Sequence, residues 1–256
     1  MCNDEMMALL YELFDPSLPR LAPGDDRSTV DALRMLLSEG SNTYPEQLKV
    51  LDIGCGNGAQ TIALAGEIDG SILAVDNHQS FLVELQRRAE AKGVSDRVRT
   101  LERDMCDLHL PAESFDLIWS EGALYIMGFA KGLAACRDLL LPHGMLAASE
   151  LCWLQPDPPT ECNEFFDNEY PAMTDVETNW SAARRVGLTP IGHLTLSESA
   201  WSNYFNPLER RLRSIRERHV DNPRWCELIA SVEKEIEMYD KHSAYYGYVF
   251  FLMRRN

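Results

Sequence analysis

One glycine-rich turn between a buried strand and a helix constrains the fold of this chain more than any other feature. Residues 50–58 read VLDIGCGNG, an apolar strand pattern begins at Leu48, and a helix is predicted from Ala59. Glycines let the backbone turn tightly and approach a ligand with no Cβ in the way. The first N–H groups of the helix have no partner within the helix. The turn alone is a weak signal, because a tight strand-to-helix turn also occurs without a ligand.

Strand and helix patterns alternate on both sides of this turn. Buried strands are predicted over residues 48–53, 71–76, 97–101, 115–119, 145–151, 189–196 and 246–253. Helices are predicted from 28 and over 59–66, 80–92, 129–140, 174–186, 207–218 and 224–241, with a break at 40–45 and a turn at 142–144. This alternation predicts an α/β fold with a mostly parallel sheet. Right-handed crossovers place the carboxyl ends of the strands on one edge, where ligands bind.

The charge balance disfavours several classes of partner. The chain has 24 basic and 40 acidic residues, a net charge of −16. Nucleic acids and anionic membranes attract basic surfaces, so neither is an expected partner, and the basic run at 209–218 is interpreted as a solvated helix face.

The sequence also indicates whether the chain binds a metal and in which cellular compartment it lies. The seven cysteines show no CxxC spacing, so no metal site is expected. No apolar run reaches the length of a membrane span, and the first residues lack a basic leader pattern. A cytoplasmic protein with reduced thiols is the expectation.

Two acidic residues help to choose between dinucleotide and adenosyl ligands. Gly54, Gly56 and Ala59 fit the dinucleotide fingerprint, and Asp76 follows Gly54 by 22 residues at the end of the next strand. Such a carboxylate suits the ribose of either ligand. Asp52 would repel a pyrophosphate and attract the cationic methionine part of S-adenosylmethionine. It therefore favours the adenosyl ligand over a nicotinamide cofactor.

Residues 50–58 resemble the first motif of the class I S-adenosylmethionine-dependent methyltransferases, in particular the ubiquinone/menaquinone-biosynthesis-like type. Residues 103–105 (RDM), 115–122 (FDLIWSEG) and 140–146 (LLPHGML) resemble its later motifs. The resemblance implies a Rossmann-like seven-stranded sheet whose last strand is antiparallel, with S-adenosylmethionine as cofactor and S-adenosylhomocysteine as product. Asp76 would bind ribose, Asp104 and Met105 adenine, and Asp52 the methionine part. The full set of expected cofactor contacts is Asp52, Gly54, Gly56, Gly58, Asp76, Asn77, Asp104, Met105 and Ser120.

The resemblance also implies a division of the chain. The expected parts of one domain are an N-terminal helical cap over 1–45, a cofactor-binding core over 46–152, a lid segment over 153–200, a helical insertion over 201–245 and a last strand over 246–256. The segment 18–24 is expected to fold over the cofactor.

Candidate catalytic residues follow predicted strands. Most candidate substrate-binding residues lie in the N-terminal cap, the lid segment and the helical insertion. Glu121 follows the fourth core strand, and it is predicted either as a base or acceptor anchor or as a hydrogen-bonding group of the cofactor pocket. Glu150, at the end of the fifth strand, is a second acidic candidate. The expected substrate pocket consists of Arg20, Tyr125, Trp153, Tyr170, Tyr204 and Tyr245. Aromatic residues at this density favour a small-molecule acceptor.

The sequence therefore predicts methyl transfer to a small molecule by in-line displacement. A methyltransferase acting on protein or RNA remains an alternative, although the Asn-Pro-Pro-Tyr type of motif is absent after the fourth strand. A non-catalytic adenosylmethionine-binding module is a second alternative. A monomer or a homodimer is compatible with the sequence.

Overall fold

Strands and helices alternate in the computed structural model, which describes residues 2–38 and 45–256. The helices are Cys2–Leu13 (α1), Asp26–Ser38 (α2), Ala59–Glu67 (α3), Gln79–Lys92 (α4), Phe129–Leu139 (α5), Thr160–Glu169 (α6), Val176–Arg185 (α7), Glu198–Arg218 (α8) and Pro223–His242 (α9). The strands are Leu48–Ile53 (β1), Gly70–Asp76 (β2), Val98–Glu102 (β3), Phe115–Glu121 (β4), Leu140–Trp153 (β5), Thr174–Asp175 (β6), Leu188–Thr195 (β7) and Tyr246–Arg255 (β8).

The strands form one sheet in the order β3-β2-β1-β4-β5-β8-β7. Strands β1 to β5 pair in parallel, and β8 lies antiparallel between β5 and β7. The predicted Rossmann-like α/β class with an antiparallel last strand is confirmed. The described residues contain one strand more than the seven expected. The addition is β6, where Thr174 pairs with Cys152 because β5 continues past the end of β4, whose last residue Glu121 pairs with Ser149.

Apolar residues cover both faces of the sheet, as parallel sheets require. Successive residues of β8 point to opposite faces, so Phe250 packs in one core with Trp119, and Phe251 packs in the other with Trp180. Helices α2, α3 and α4 contribute to the first core and α5 and α7 to the second.

A third core joins helices that lie at the carboxyl edge of the sheet. It contains residues of α1, α6, α8 and α9 together with Tyr246 at the start of β8. Trp225 of α9 and Leu13 of α1 are fully buried in it. The N-terminal helix and the insertion before β8 thus form one lid layer over the edge where ligands bind in such sheets.

Two helices begin earlier than the sequence predicts. Helix α2 begins at Asp26 and not at Ser28, because Asp25 accepts a hydrogen bond from the Ser28 backbone N–H at 2.6 Å. Helix α8 begins at Glu198 and contains Pro207, which the sequence predicts as the start of a helix. Proline costs an interior helix about 3 kcal/mol, and the buried α8 residues in the lid core, including Trp201 and Leu208, offset that cost.

The turn predicted at 142–144 is an irregularity inside β5. The pairing of β4 with β5 shifts register between Phe115 and Leu117, and His143 has a positive φ of 65°. The extra residues bulge without ending the strand. The break predicted at 40–45 falls mostly outside the described residues, apart from Pro45.

Candidate active site

The glycine-rich turn forms the floor of a cavity at the carboxyl edge of the sheet. Gly56 has a φ of +51°, and a Cβ there would lie 3.1 Å from Leu21 Cδ1, so the turn and the N-terminal segment are closely packed. Gly58 has a φ of +81°, and its Cβ would lie 2.1 Å from Leu85 Cδ1. Glycine at position 58 thus allows α4 to pack against the turn, whereas Gly54 and Gly56 line the cavity itself.

Asp76 ends β2 beside this turn, and its carboxylate is oriented by the backbone. Its two oxygens accept hydrogen bonds from the Gly56 and His78 backbone N–H groups, each at 2.9 Å. Burial raises the pKa of Asp76, and these backbone hydrogen bonds oppose the shift. A carboxylate oxygen has two lone pairs, so each oxygen can still accept one ligand hydroxyl.

An aromatic cluster lies next to Asp76. The Tyr11 ring stacks on His78 with centroids 3.8 Å apart, and His78 contacts Phe81 at 4.5 Å. Tyr11 and Phe81 line the cavity together with Asn77, Asp104 and Met105. The Asp104 carboxylate accepts a hydrogen bond from the Cys106 N–H at 2.8 Å, which fixes the loop after β3.

Asp52 lies behind the cavity wall rather than in it. Its side chain is fully buried and accepts hydrogen bonds from Thr61 Oγ1 at 2.6 Å and Gln60 Nε2 at 3.5 Å. Burial, opposed mainly by the Thr61 hydrogen bond, raises the pKa of Asp52 to about 7. Gln60 lines the cavity, so Asp52 is placed to position Gln60.

Glu121, the predicted catalytic residue, accepts three side-chain hydrogen bonds. Its Oε2 accepts from Arg20 Nη1 at 3.0 Å, and its Oε1 accepts from Thr29 Oγ1 at 2.7 Å and Trp119 Nε1 at 2.8 Å. These contacts hold the carboxylate against the strap and α2 and leave its Oε1 no free lone pair. This arrangement favours the second predicted role, a structural carboxylate of the cofactor pocket, over a general base.

A strap formed by residues 15–24 crosses the glycine-rich turn. Asn57 Nδ2 donates to the carbonyl oxygens of Pro16 at 3.1 Å and Leu18 at 2.6 Å. Arg88 of α4 donates to the carbonyls of Pro16, Leu18 and Pro19. Side chains of the glycine-rich turn and α4 thus hold the strap in place, as its predicted position over the cofactor site requires.

The other half of the cavity lies over β5 and β8. Glu150 at the end of β5 is buried and accepts a hydrogen bond from Tyr170 Oη at 2.8 Å. Burial raises the pKa of Glu150 to about 7 and that of Glu235 on α9 also to about 7. The rest of this wall is aromatic and includes Tyr125, Phe165, Phe166, Trp201, Tyr204, Tyr246 and Tyr248. The two halves share one cavity of about 760 Å³.

The cavity brings together most of the predicted residues. Its lining includes Arg20, Gly54, Gly56, Asp76, Asn77, Asp104, Met105, Glu121, Tyr125, Tyr170 and Tyr204. Five predicted residues do not line it, namely Asp52, Gly58, Ser120, Trp153 and Tyr245. Ser120 Oγ donates to the Ile53 carbonyl at 2.9 Å, and Trp153 packs on Phe166 in the lid core.

Sequence reasoning missed several residues of the site. Asn57 and Arg88 hold the strap, and Tyr11 and Glu235 line the cavity. Asn57 lies inside the glycine-rich turn, so its position was a usable signal. Glu235 lies in a charged helical stretch that is typical of a solvated face, and no sequence signal marks it.

The described residues contain neither a membrane-spanning helix nor a cluster of metal-binding side chains. Across 2–38 and 45–256, no helix is both long and apolar enough to cross a membrane. Over the same ranges, no group of three or more His, Cys, Asp or Glu side chains has an arrangement that could hold a metal ion.

Known proteins share both the motif region and the fold. The family described as "Methyltransferase domain" matches residues 50–144. Phosphoethanolamine N-methyltransferase 1 of Arabidopsis thaliana is 27% identical over 181 residues, 69% of this chain and 35% of the relative. The chain spans about a third to a half of the length of the first curated relatives it matches.

Solved structures resemble the chain over nearly its whole length. YjhP of E. coli superimposes with a TM-score of 0.82 at 19% identity, covering 96% of this chain and 99% of that one. A SAM-dependent methyltransferase of Geobacter sulfurreducens, solved with S-adenosyl-L-homocysteine, has a TM-score of 0.74 at 20% identity and covers 98% of both chains. Residues 50–144 therefore match a methyltransferase-domain family, and nearly the whole chain has the fold of solved structures that include a SAM-dependent methyltransferase.

Proposed function

We propose that this protein transfers a methyl group from S-adenosylmethionine to a small-molecule acceptor. The observation that carries the proposal is the position of Asp76 beside the glycine-rich turn, in a cavity that continues into a second, aromatic half. One half suits the cofactor and the other an acceptor, and both open into the same space.

The residues present fit the cofactor. Asp76 has lone pairs left for two ribose hydroxyls after accepting from Gly56 and His78. Asp104 and Met105 line the wall expected to hold adenine. Gln60, positioned by Asp52, lines the part of the cavity next to the glycine-rich turn. Next to the glycine-rich turn, the Asp76 carboxylate and the neutral Gln60 suit a ligand that has a sulfonium and no phosphate.

The chain's own contribution to the reaction is binding, alignment and exclusion of water. When bound, the cofactor supplies a methyl group already activated on a sulfonium. Strap residue Leu21 packs on Gly56 of the turn, Ala22 lies next to Gly122, and the Arg20–Glu121 pair ties the strap to the end of β4. Alignment of the two reactants in a closed site supplies much of the rate enhancement of such displacements.

The lid supports a small-molecule acceptor. Helices α1, α6, α8 and α9 share a core over the carboxyl edge, and aromatic side chains line the acceptor half. We assign residues 46–152 to cofactor binding. Of the cap over 1–45, the segment over 153–200 and the insertion over 201–245, we assign α1, α6, α8 and α9 to the lid, whereas α2 and α7 pack on the sheet that β7 and residues 246–256 complete. The ubiquinone/menaquinone-biosynthesis-like subtype remains a prediction from the sequence.

Labelled methyl transfer tests the proposal. The protein is incubated with methyl-labelled S-adenosylmethionine and an extract of the source organism, and products are separated by size. Label in small molecules, reduced in the Asp76→Asn variant, is the expected result. Label in protein or RNA would overturn the acceptor class and leave the cofactor assignment intact. No label above a heat-killed control would favour a binding module.

A further inference from the structure

The acceptor half of the cavity contains a buried carboxylate that the protein itself satisfies only in part. Glu150 is 2% exposed and lines the cavity. Its Oε1 accepts from Tyr170 Oη at 2.8 Å and from the Leu151 N–H at 3.3 Å. Its Oε2 is buried and has no hydrogen-bond partner among the described residues. A buried carboxylate oxygen without a partner is costly, so a group that enters the cavity is the natural source of one.

The charges on the cavity wall indicate which charge the entering group carries. Six carboxyl side chains and two guanidinium groups line the cavity within the described ranges. One guanidinium, Arg20, is already paired with Glu121 and Asp26, and the other, Arg103, follows β3 on the cofactor side. Glu150, Glu169 and Glu235 all line the acceptor half. An anionic acceptor would be repelled there, whereas a cationic acceptor would give the unpartnered oxygen of Glu150 both a hydrogen-bond donor and a compensating charge.

Aromatic rings complete an environment suited to a cation. Tyr204 and Tyr248 line the same half, and Trp201 lies 5.6 Å from the Tyr248 ring. Burial, with the charges of Glu150 and Glu235 contributing, raises the pKa of the Tyr125 phenol, so it stays neutral. Neutral aromatic rings attract ammonium groups through their faces, more strongly where water is excluded.

We propose that the methyl acceptor is an amine that enters as an ammonium ion and pairs with Glu150, an assignment that rests on the proposed function. The ammonium nitrogen gives one proton to the Glu150 carboxylate. The freed nitrogen lone pair forms a bond to the cofactor's methyl carbon as the carbon–sulfur bond breaks, and the electron pair of that bond stays on sulfur. The products are a methylated ammonium ion, a neutral thioether and a protonated Glu150, which returns its proton to solvent when the product leaves.

Matched amines and alcohols test this assignment by binding alone. The protein is saturated with S-adenosylhomocysteine and titrated calorimetrically with four pairs of ligands. Each pair shares one carbon skeleton (n-butyl, cyclohexylmethyl, benzyl or phenethyl) and carries either a primary amine or a hydroxyl group. The expected result is saturable binding of at least one amine, at least tenfold tighter than its alcohol.

Two variants test whether the preference for amines over alcohols depends on Glu150. Glu150→Gln is expected to weaken amine binding at least tenfold while S-adenosylhomocysteine affinity changes less than twofold. The matched control is Glu233→Gln, which removes an exposed α9 carboxylate paired with Arg216 outside the cavity lining and should change neither affinity. Folding of both variants is checked by S-adenosylhomocysteine binding itself.

The outcomes separate the two proposals. Equal binding of amines and alcohols, or no amine binding to a protein that holds S-adenosylhomocysteine, would overturn the amine assignment and leave the proposed function standing. Equal amine binding by wild type and Glu150→Gln would overturn the role of Glu150. Failure of the wild type to bind S-adenosylhomocysteine would overturn the proposed function at the first step, and the amine assignment with it.

Discussion

Arg20 Nη1 lies 3.0 Å from Glu121 Oε2, and this pair joins the N-terminal strap to the end of β4 across 101 residues of sequence. Both side chains are less than a tenth exposed. Removal of one partner from a buried pair leaves an uncompensated charge. The strap position over the glycine-rich turn therefore depends on this contact, and the first prediction tests it.

Arg20→Met should destabilise the protein by about 3 kcal/mol and weaken S-adenosylhomocysteine binding, since Glu121 loses its charged partner. Chemical denaturation and calorimetry measure the two effects. The control is Asp26→Asn, which removes the other, largely exposed partner of the same guanidinium and should cost less than about 1 kcal/mol. Equal effects of the two substitutions would refute the importance of the buried contact.

Asp76→Asn should weaken S-adenosylhomocysteine binding by about 1–3 kcal/mol, roughly tenfold to a hundredfold, because the ribose hydroxyls lose charged acceptors. Asp107→Asn is the control, since Asp107 is exposed, pairs with His109 and lies outside the cavity lining. Calorimetric titration of both variants gives the comparison. Unchanged affinity in Asp76→Asn would remove Asp76 from the cofactor site.

Gly58→Ala should destabilise the protein by about 2–4 kcal/mol, because it combines a left-handed backbone with a Cβ placed 2.1 Å from Leu85. Gly66→Ala, in α3, meets nothing within 4 Å and should stabilise by up to about 1 kcal/mol. Denaturation midpoints distinguish the two. A Gly58→Ala protein as stable as the wild type would show that α4 does not pack on the turn as described.

Glu150 should make stability depend on pH. Its folded pKa of about 7 exceeds the ordinary 4.5, so between these values the folded state holds a proton that the unfolded state has lost. The contribution of Glu150 to stability is full below pH 4.5 and falls as pH rises to about 7, by about 3 kcal/mol in total.

Glu150→Gln abolishes this titration, so its stability relative to wild type should increase from pH 5 to pH 8. Denaturation at the two pH values measures the change. Glu161→Gln is the control, because Lys234 beside the exposed Glu161 lowers the pKa of that carboxyl and leaves it ionised over the whole range. A constant difference between Glu150→Gln and wild type at both pH values would contradict the raised pKa.

Strand ends were the part of the site that the sequence could locate. Asp76 ends a predicted strand and Glu121 closely follows another, and the topology brings both to one edge. The sequence did not predict the direction in which a side chain within a strand points. Asp52 lies inside β1 and points at Thr61 of α3 rather than into the cavity, a contact that depends on how the helix packs.

The lid was predictable as a helical insertion but not in its detail. Aromatic density does not separate residues that line a cavity from those that pack behind it, so Tyr204 lines the cavity whereas Trp153 packs in the lid core. Pro207 was misleading because tertiary burial outweighs the local preference of proline. Long-range contacts such as Arg20 to Glu121 have no local signature in a single sequence.

Calorimetric titration of the wild-type protein with S-adenosylhomocysteine tests the central claim most directly, with NAD as the competing ligand in a parallel titration. The account predicts saturable one-to-one binding of S-adenosylhomocysteine and no binding of NAD. The two described basic groups of the cavity wall are Arg20, which is already paired, and Arg103, which follows β3 on the side expected to hold adenine. Binding of NAD without binding of S-adenosylhomocysteine would contradict the account.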